Sequence, residues 1–176
     1  GEKSTEGVAQ RKPRITIIGS FRYKQRIDEV IDFLERNEVE VLAPRKGLIS
    51  GKVIEGFKFI EGDEGENVED AVELERSFLE SVVNSDAVYV VNTGRYSGFA
   101  SAWELGTALS QKIPIFTMEP LDFEEEDHPA FLWVSSIAQV AKLQDLPNLA
   151  RRAMKENTRD RLKVSRGGSI TKHGVS

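Results

Sequence analysis

The stretch Asp86–Met118 constrains the fold of this chain more than any other part of its 176 residues. A short apolar run, Ala87–Val91, ends at Asn92, and a loop rich in glycine and serine follows it. The next segment predicts a helix that begins near Ser101, and a second apolar run covers Ile113–Thr117. This strand–loop–helix–strand order predicts a parallel sheet, which binds ligands in the crevice outside the carboxyl ends of its strands.

A second unit of the same kind opens the chain. Arg14–Gly19 is a β-branched run that predicts a buried strand, and Val39–Ala43 predicts another. Between them, apolar residues recur at helical spacing within Lys24–Arg36. Strands that alternate with helices predict an α/β fold, a three-layer α/β/α sandwich with a flavodoxin-like, Rossmann-like parallel sheet in the order 2-1-3-4-5.

The other segments are harder to assign from sequence. Pro44–Asn67 contains five glycines and predicts a long excursion over the sheet edge, with room for a short hairpin. Val68–Asn84 has helical periodicity, and Phe131–Leu143 could supply a fifth strand with flanking turns. Pro147 is suited to open a final helix through Lys155.

We expect one domain over residues 14–157, flanked by disordered tails at 1–13 and 158–176. Residues 151–176 carry a net charge of +6, so most of the negative charge lies in the body of the chain, whose overall net charge is −5. An acidic body repels polyanions, so long nucleic acid is not an expected partner. No apolar stretch is long enough for a membrane helix, and no signal peptide is recognisable, so we expect no membrane partner and a cytoplasmic location.

Composition also limits the chemistry. Cysteine is absent, which excludes disulfides, thiolate nucleophiles and Cys-ligated metals. The two histidines, His128 and His173, lie in irregular segments, so a histidine zinc site or a Ser-His-Asp triad is not expected. Carboxylates remain for acid–base chemistry.

Two loops carry candidate site residues. In the first, Gly19 permits a tight turn, Ser20 offers a hydroxyl and Arg22 offers a guanidinium suited to phosphate or carboxylate. The alternative is an ordinary βα turn, with Ser20 as a cap and Arg22 in solvent.

The second loop, Thr93–Glu104, combines flexible glycines with aromatic side chains that could stack on a flat ring, namely Tyr96, Phe99 and Trp103. Glu104 lies near the start of the predicted helix. It is either a catalytic carboxylate or the second half of a capping box with Ser101.

Four motifs in order resemble a known family: GSFR after the first strand, LExxFLExxxNSDAVYVVN before the second loop, YSGFASAWELGTAL within it, and KIPIF. Over residues 15–118 they are similar to the nucleoside 2-deoxyribosyltransferase superfamily, which includes 2′-deoxynucleoside 5′-monophosphate N-glycosidases. The resemblance implies a flavodoxin-like fold, a small-molecule nucleoside or nucleotide as partner, and no metal or organic cofactor. It also implies a homodimer or higher homo-oligomer with sites near the subunit interface.

Residue by residue, the resemblance implies that Glu104 is the nucleophile. Gly19, Ser20 and Arg22 match the residues that hold the phosphate or sugar, and Gly98 matches the glycine of the catalytic loop. Ala100 stands where many relatives have serine, so Ser97 or Ser101 would supply that hydroxyl. Asn92 and Tyr96 complete the expected substrate-binding set.

One expected residue is missing. The family places an aspartate in the helix before the third strand, and that register falls here on Ser77 or Phe78. The nearest carboxylates in the helix, Glu73, Glu75 and Glu80, are on other turns. Candidates to replace the aspartate are Asp63, Glu61 or a carboxylate of a neighbouring subunit.

Two functions follow from these residues. The first is cleavage or transfer of the N-glycosidic bond of a (deoxy)nucleoside or its 5′-monophosphate, through an oxocarbenium-like state stabilised by a glutamate. The second is a non-catalytic nucleotide-binding or sensing module of the same fold, which would tolerate Glu104→Gln.

Overall fold

A computed structural model describes residues 11–95, 98–121 and 128–166. Its main sheet has five parallel strands: β1 (Arg14–Ile18), β2 (Glu40–Ala43), β5 (Ala87–Val90), β6 (Ile115–Thr117) and β7 (Gln139–Val140). Their spatial order is β2-β1-β5-β6-β7. Counted along the main sheet alone this is 2-1-3-4-5, so the predicted flavodoxin-like order is confirmed.

Helices cover both faces of this sheet. They are α1 (Lys24–Arg36), α2 (Val68–Val83), α3 (Phe99–Ser110), α4 (Pro129–Ile137) and α5 (Leu146–Arg166). On one face, α1 and α5 pack against Ile15, Ile17 and Tyr89, and on the other α2, α3 and α4 pack against Ile18 and Val88. The faces alternate along β1 because successive strand side chains point to opposite sides. The predicted three-layer sandwich is therefore confirmed.

The excursion after β2 contains an antiparallel hairpin, β3 (Ile49–Ile54) and β4 (Phe57–Ile60). Its tight turn is at Glu55 and Gly56, whose φ values of 48° and 79° are both positive, as two-residue hairpin turns of the primed types require. The short hairpin that the sequence allowed within Pro44–Asn67 is therefore present. It matters for function because β4 forms part of a cavity wall.

Several predicted boundaries differ from the structure, among them the start of β6, which is Ile115 and not Ile113. The helix α3 begins at Phe99, two residues before the predicted start. The segment 131–143 forms mostly the helix α4, followed by the two-residue strand β7. The last helix runs to Arg166, beyond the predicted end at Lys155 and into the expected tail, because its charged residues are good helix formers. Of the two predicted tails, residues 1–10 and 167–176 lie outside the described residues.

None of the described helices is long and apolar enough to cross a membrane.

Candidate active site

A cavity of about 420 Å³ lies beyond the carboxyl end of β1. Residues after β1 and β2 line it, α2 and α3 supply one side, and the β3–β4 hairpin supplies another. Its volume falls in the range of roughly 300–1,000 Å³ that is typical of small-molecule sites. Its position is the one where open α/β sheets bind ligands. The cavity is therefore the candidate active site.

Glu104 contributes its carboxyl group to the wall of this cavity. It lies in the second turn of α3, and the residue is only 7% exposed. Burial in a poorly solvated environment, a hydrogen bond with Glu75 and the negative charge of Glu75 raise the pKa of Glu104 to about 9. Burial therefore favours the protonated form of Glu104, and the two carboxyl groups share one proton in their hydrogen bond.

The capping-box interpretation of Ser101 and Glu104 is wrong. The N-cap of α3 is Gly98, which has extended backbone angles and no side-chain cap hydrogen bond. Glu104 is the sixth residue of the helix, so it lies too far along to bond the free amides of the first turn. Its side chain is therefore available to the cavity.

Glu75 is the functional candidate that sequence reasoning dismissed. It lies on α2, lines the same cavity and is half-buried. Sequence reasoning passed over Glu75 because the aspartate of the resembled family aligns with Ser77 or Phe78. Both of these residues also line the cavity. A signal was available, because Glu75 falls four residues after buried Ala71 and seven before buried Val82, on the inward stripe of the helix.

The two other carboxylates considered as replacements have different surroundings. Asp63 lines the cavity, but Arg45 Nε donates to its carboxylate at 3.1 Å. Glu61 is not among the lining residues, and its backbone oxygen accepts a hydrogen bond from the same guanidinium. Glu75 is thus the carboxylate that meets Glu104. In the described part of the chain, no group of three or more His, Cys, Asp or Glu is placed to hold a metal ion.

The loop after β1 reaches the cavity in part. Gly19 and Ser20 line it, whereas the exposed Arg22 is outside the lining. The backbone N–H of Arg22 donates to the Ser20 hydroxyl at 3.3 Å, which fixes the short 3-10 turn that follows. A Cβ at Gly19 would lie 2.9 Å from the carbonyl oxygen of Val91, so glycine allows β1 and β5 to end close together here.

The second loop contributes Gly98 and Ser101 to the cavity. Tyr96 and Ser97 lie outside the described residues, as does the side chain of Phe99. Trp103 is 67% exposed and is not a lining residue.

Aromatic side chains from other elements line the cavity. Phe21, Phe57, Phe59 and Phe78 line the cavity, and the rings of Phe57 and Phe59 meet edge to face with centroids 5.1 Å apart. Phe57 and Phe59 alternate with other residues in the sequence GFKFI, residues 56–60, as expected for a strand that points both rings to one side.

Asn92 is fully buried, but it lies away from the lining residues. Its amide nitrogen donates to the carbonyl oxygens of Glu119 and Pro120, at 2.7 and 3.2 Å. Its amide oxygen accepts from the backbone N–H of Glu119 at 2.9 Å. Asn92 therefore joins the end of β5 to the segment after β6.

Comparisons with known proteins support the fold. A 2-deoxyribosyltransferase from the psychrotolerant bacterium Bacillus psychrosaccharolyticus superposes with a TM-score of 0.50 and 17% sequence identity, over 77% of this chain and 90% of that chain. A conserved protein from Enterococcus faecalis V583 gives a TM-score of 0.47 and 12% identity, over 80% of this chain and 98% of that chain. No family model and no curated protein matches. The chain thus shares the fold of the 2-deoxyribosyltransferase.

Proposed function

We propose that the protein cleaves or transfers the N-glycosidic bond of a (deoxy)nucleoside or its 5′-monophosphate, with Glu104 as the nucleophile and Glu75 as the acid–base partner. The observation that carries the proposal is the hydrogen-bonded pair of carboxyl groups on the wall of the cavity. The 2-deoxyribosyltransferase with the same fold gives independent support for a nucleoside substrate.

The pair has the properties that the chemistry needs. Two carboxyl groups that share one proton cannot both ionise easily, so one is charged while the other is an acid. Transfer of the shared proton from Glu104 to Glu75 leaves Glu104 as the charged group and Glu75 as the donor. The proton moves along an existing hydrogen bond, and the positive charge that develops on the sugar offsets the cost of charging the buried Glu104.

In the proposed reaction, a Glu104 oxygen attacks the anomeric carbon as the bond to the base breaks. The electron pair of that bond goes to the base nitrogen, and the base takes up a proton from Glu75. The glycosyl–Glu104 ester is then released by a second nucleophile, whose proton returns to the Glu75 carboxylate. Water in this step makes the protein a hydrolase, whereas another base makes it a transferase.

The remaining walls suit the other parts of a nucleoside. Phe57 and Phe59 offer apolar, aromatic surface for the base. On this proposal Gly19, Ser20 and Ser101 contact the sugar or its 5′ end. Arg22 and Asn92 act at the margin of the site, Arg22 towards a phosphate and Asn92 through the backbone of the second loop.

We also propose that a second copy of the chain covers the outer face of the layer formed by α2, α3 and α4. Val72 on α2 and Leu132 and Trp133 on α4 are each more than half exposed. Exposed apolar side chains on the helices of one layer are typical of contact surfaces. Light scattering of the purified protein should show a dimer or higher oligomer, and Trp133→Glu should shift it towards monomer. A wild-type monomer would refute this part of the proposal.

The activity test incubates the purified protein with a panel of nucleosides and 5′-monophosphates and follows free base by chromatography. Wild type should release base from at least one, Glu104→Gln should abolish release, and Glu75→Gln should slow it by ~100-fold or more, as loss of a general acid–base group does. Glu69→Gln, on an exposed residue of the same helix, is the matched control and should remain active. Tight binding without base release would support the sensing module instead.

A further inference from the structure

The turn that follows β5 has an unfavourable backbone conformation. Gly94 and Arg95 both have φ of 65°, in the left-handed region. Glycine adopts this region freely, but for arginine it is unfavourable because the Cβ crowds the backbone. The N–H of Arg95 donates to the carbonyl oxygen of Asn92 at 2.8 Å, and a further stabilising group comes from outside the turn.

The stabilising group is the side chain of Glu119, in the segment after β6. One carboxylate oxygen of Glu119 accepts the backbone N–H of Gly94 at 2.6 Å and that of Arg95 at 3.4 Å. Because the N–H of Arg95 also donates to the carbonyl oxygen of Asn92 at 2.8 Å, the Glu119 carboxylate acts mainly through the N–H of Gly94. Charge-assisted hydrogen bonds of this kind are roughly twice as strong as neutral ones.

Glu119 is itself held in place by Asn92. The Asn92 side chain bonds both the N–H and the carbonyl oxygen of Glu119, as described above. The two residues thus connect β5 and β6 in both directions: an amide from the β5 side fixes the backbone of Glu119, and the carboxylate of Glu119 fixes the turn after β5. We call this pair the Asn92–Glu119 clamp.

The clamp does not line the cavity, but it lies close in sequence to residues that do. Gly98 follows Arg95 by three positions, lines the cavity and is the N-cap of α3. The helix that Gly98 starts carries Ser101 and Glu104 into the same cavity. Two residues separate Arg95 from Gly98, so the position of the turn bounds the distance at which Gly98 can lie from it.

We propose that Glu119 is a positioning residue, whose carboxylate holds the turn Thr93–Arg95 so that Gly98 and the first turn of α3 meet the substrate. The claim about substrate rests on the proposed function, whereas the claim about the turn does not. Loss of the carboxylate leaves the binding-competent backbone only partly populated, which weakens apparent affinity in proportion.

The experiment compares wild type with Glu119→Ala and Glu119→Gln, and with Glu156→Ala, on an exposed residue of α5, as the control. Amide hydrogen exchange is measured at Gly94, whose N–H donates to the Glu119 carboxylate at 2.6 Å. Glu119→Ala should speed exchange there by about tenfold or more, the effect of losing a hydrogen bond to a charged group. Glu119→Gln, which keeps an acceptor oxygen, should restore part of the protection, and Glu156→Ala should match wild type. Equal exchange in wild type and Glu119→Ala would overturn the clamp.

The same variants are then assayed with 2′-deoxyadenosine and its 5′-monophosphate. Glu119→Ala should raise KM by about tenfold with a smaller change in kcat, and it should leave the pH profile set by the carboxyl pair in place. Faster exchange with an unchanged KM would overturn the positioning role. If wild type neither cleaves nor binds these probes, the proposed function fails for them, and the exchange result still decides whether the clamp exists.

Discussion

Replacing Glu104 with glutamine should make the protein more stable at alkaline pH. The carboxyl group has its pKa raised from 4.5 to about 9 by burial and by Glu75, so the folded state binds a proton that the unfolded state releases. Stability contributed by this proton is fully present below about pH 4.5 and is lost as the pH rises towards 9. Glutamine cannot ionise, and its N–H₂ group can still donate to Glu75.

The size of the effect follows from the shift. Each pH unit between the two pKa values costs wild type about 1.4 kcal/mol of stability, hence up to about 4 kcal/mol between pH 5 and pH 8. Urea denaturation of both proteins at several pH values gives the difference directly, since titrations of other groups largely cancel. The free energy of unfolding of the Glu104→Gln variant, relative to that of wild type, should rise steadily from pH 5 to pH 8. Glu69→Gln should run parallel to wild type. A constant difference between Glu104→Gln and wild type would refute a buried, shared proton.

Three further substitutions test other parts of the structure. Asp86→Ala should lower stability by about 2–3 kcal/mol, because the buried carboxylate accepts two hydrogen bonds from Arg11 at 2.7 and 2.8 Å. Burial acts to raise the pKa of Asp86, but these hydrogen bonds hold it below its usual value. Their contribution to stability is therefore present above the usual pKa and is lost as the pH falls through the lowered pKa of the folded state. Lys24→Met should cost about 1–3 kcal/mol in a thermal melt, because the buried ammonium donates to two backbone oxygens that would be left unbonded. Gly19→Ala should cost roughly 1–3 kcal/mol by the same measurement, because its Cβ would meet the Val91 oxygen at 2.9 Å; stability equal to wild type would show that the strand ends can separate freely.

Local periodicity was enough to predict most of the fold. The β-branched run of β1 and the i, i+3, i+4 spacing of Ile27, Val30 and Ile31 each specify one element and its buried face. Parallel strands then require crossovers, which restrict the order of the sheet. The start of α3 was misplaced because a glycine N-cap leaves no side-chain signal, whereas Ser101 and Glu104 match a common capping pattern by chance.

The site was less predictable, because it depends on how separate elements pack. Gly19, Ser20, Gly98, Ser101 and Glu104 were recognised by motif, and all line the cavity. The contact between Glu104 on α3 and Glu75 on α2 depends on how the two helices pack against each other. The sequence of one helix does not specify that packing. Trp103 is a second example. Its aromatic ring could stack on a nucleobase, but its position on α3 leaves the side chain exposed to solvent.

Trapping the glycosyl intermediate tests the central claim most directly. A 2′-deoxy-2′-fluoro nucleoside slows both chemical steps, because the fluorine destabilises the positive charge that develops on the sugar. After incubation and digestion, mass spectrometry should find the fluorinated sugar attached to Glu104, with free base released in equal amount. The adduct should be absent from the Glu104→Gln variant. An adduct on a different residue, or base release that also occurs in that variant, would contradict the assignment of Glu104 as the nucleophile.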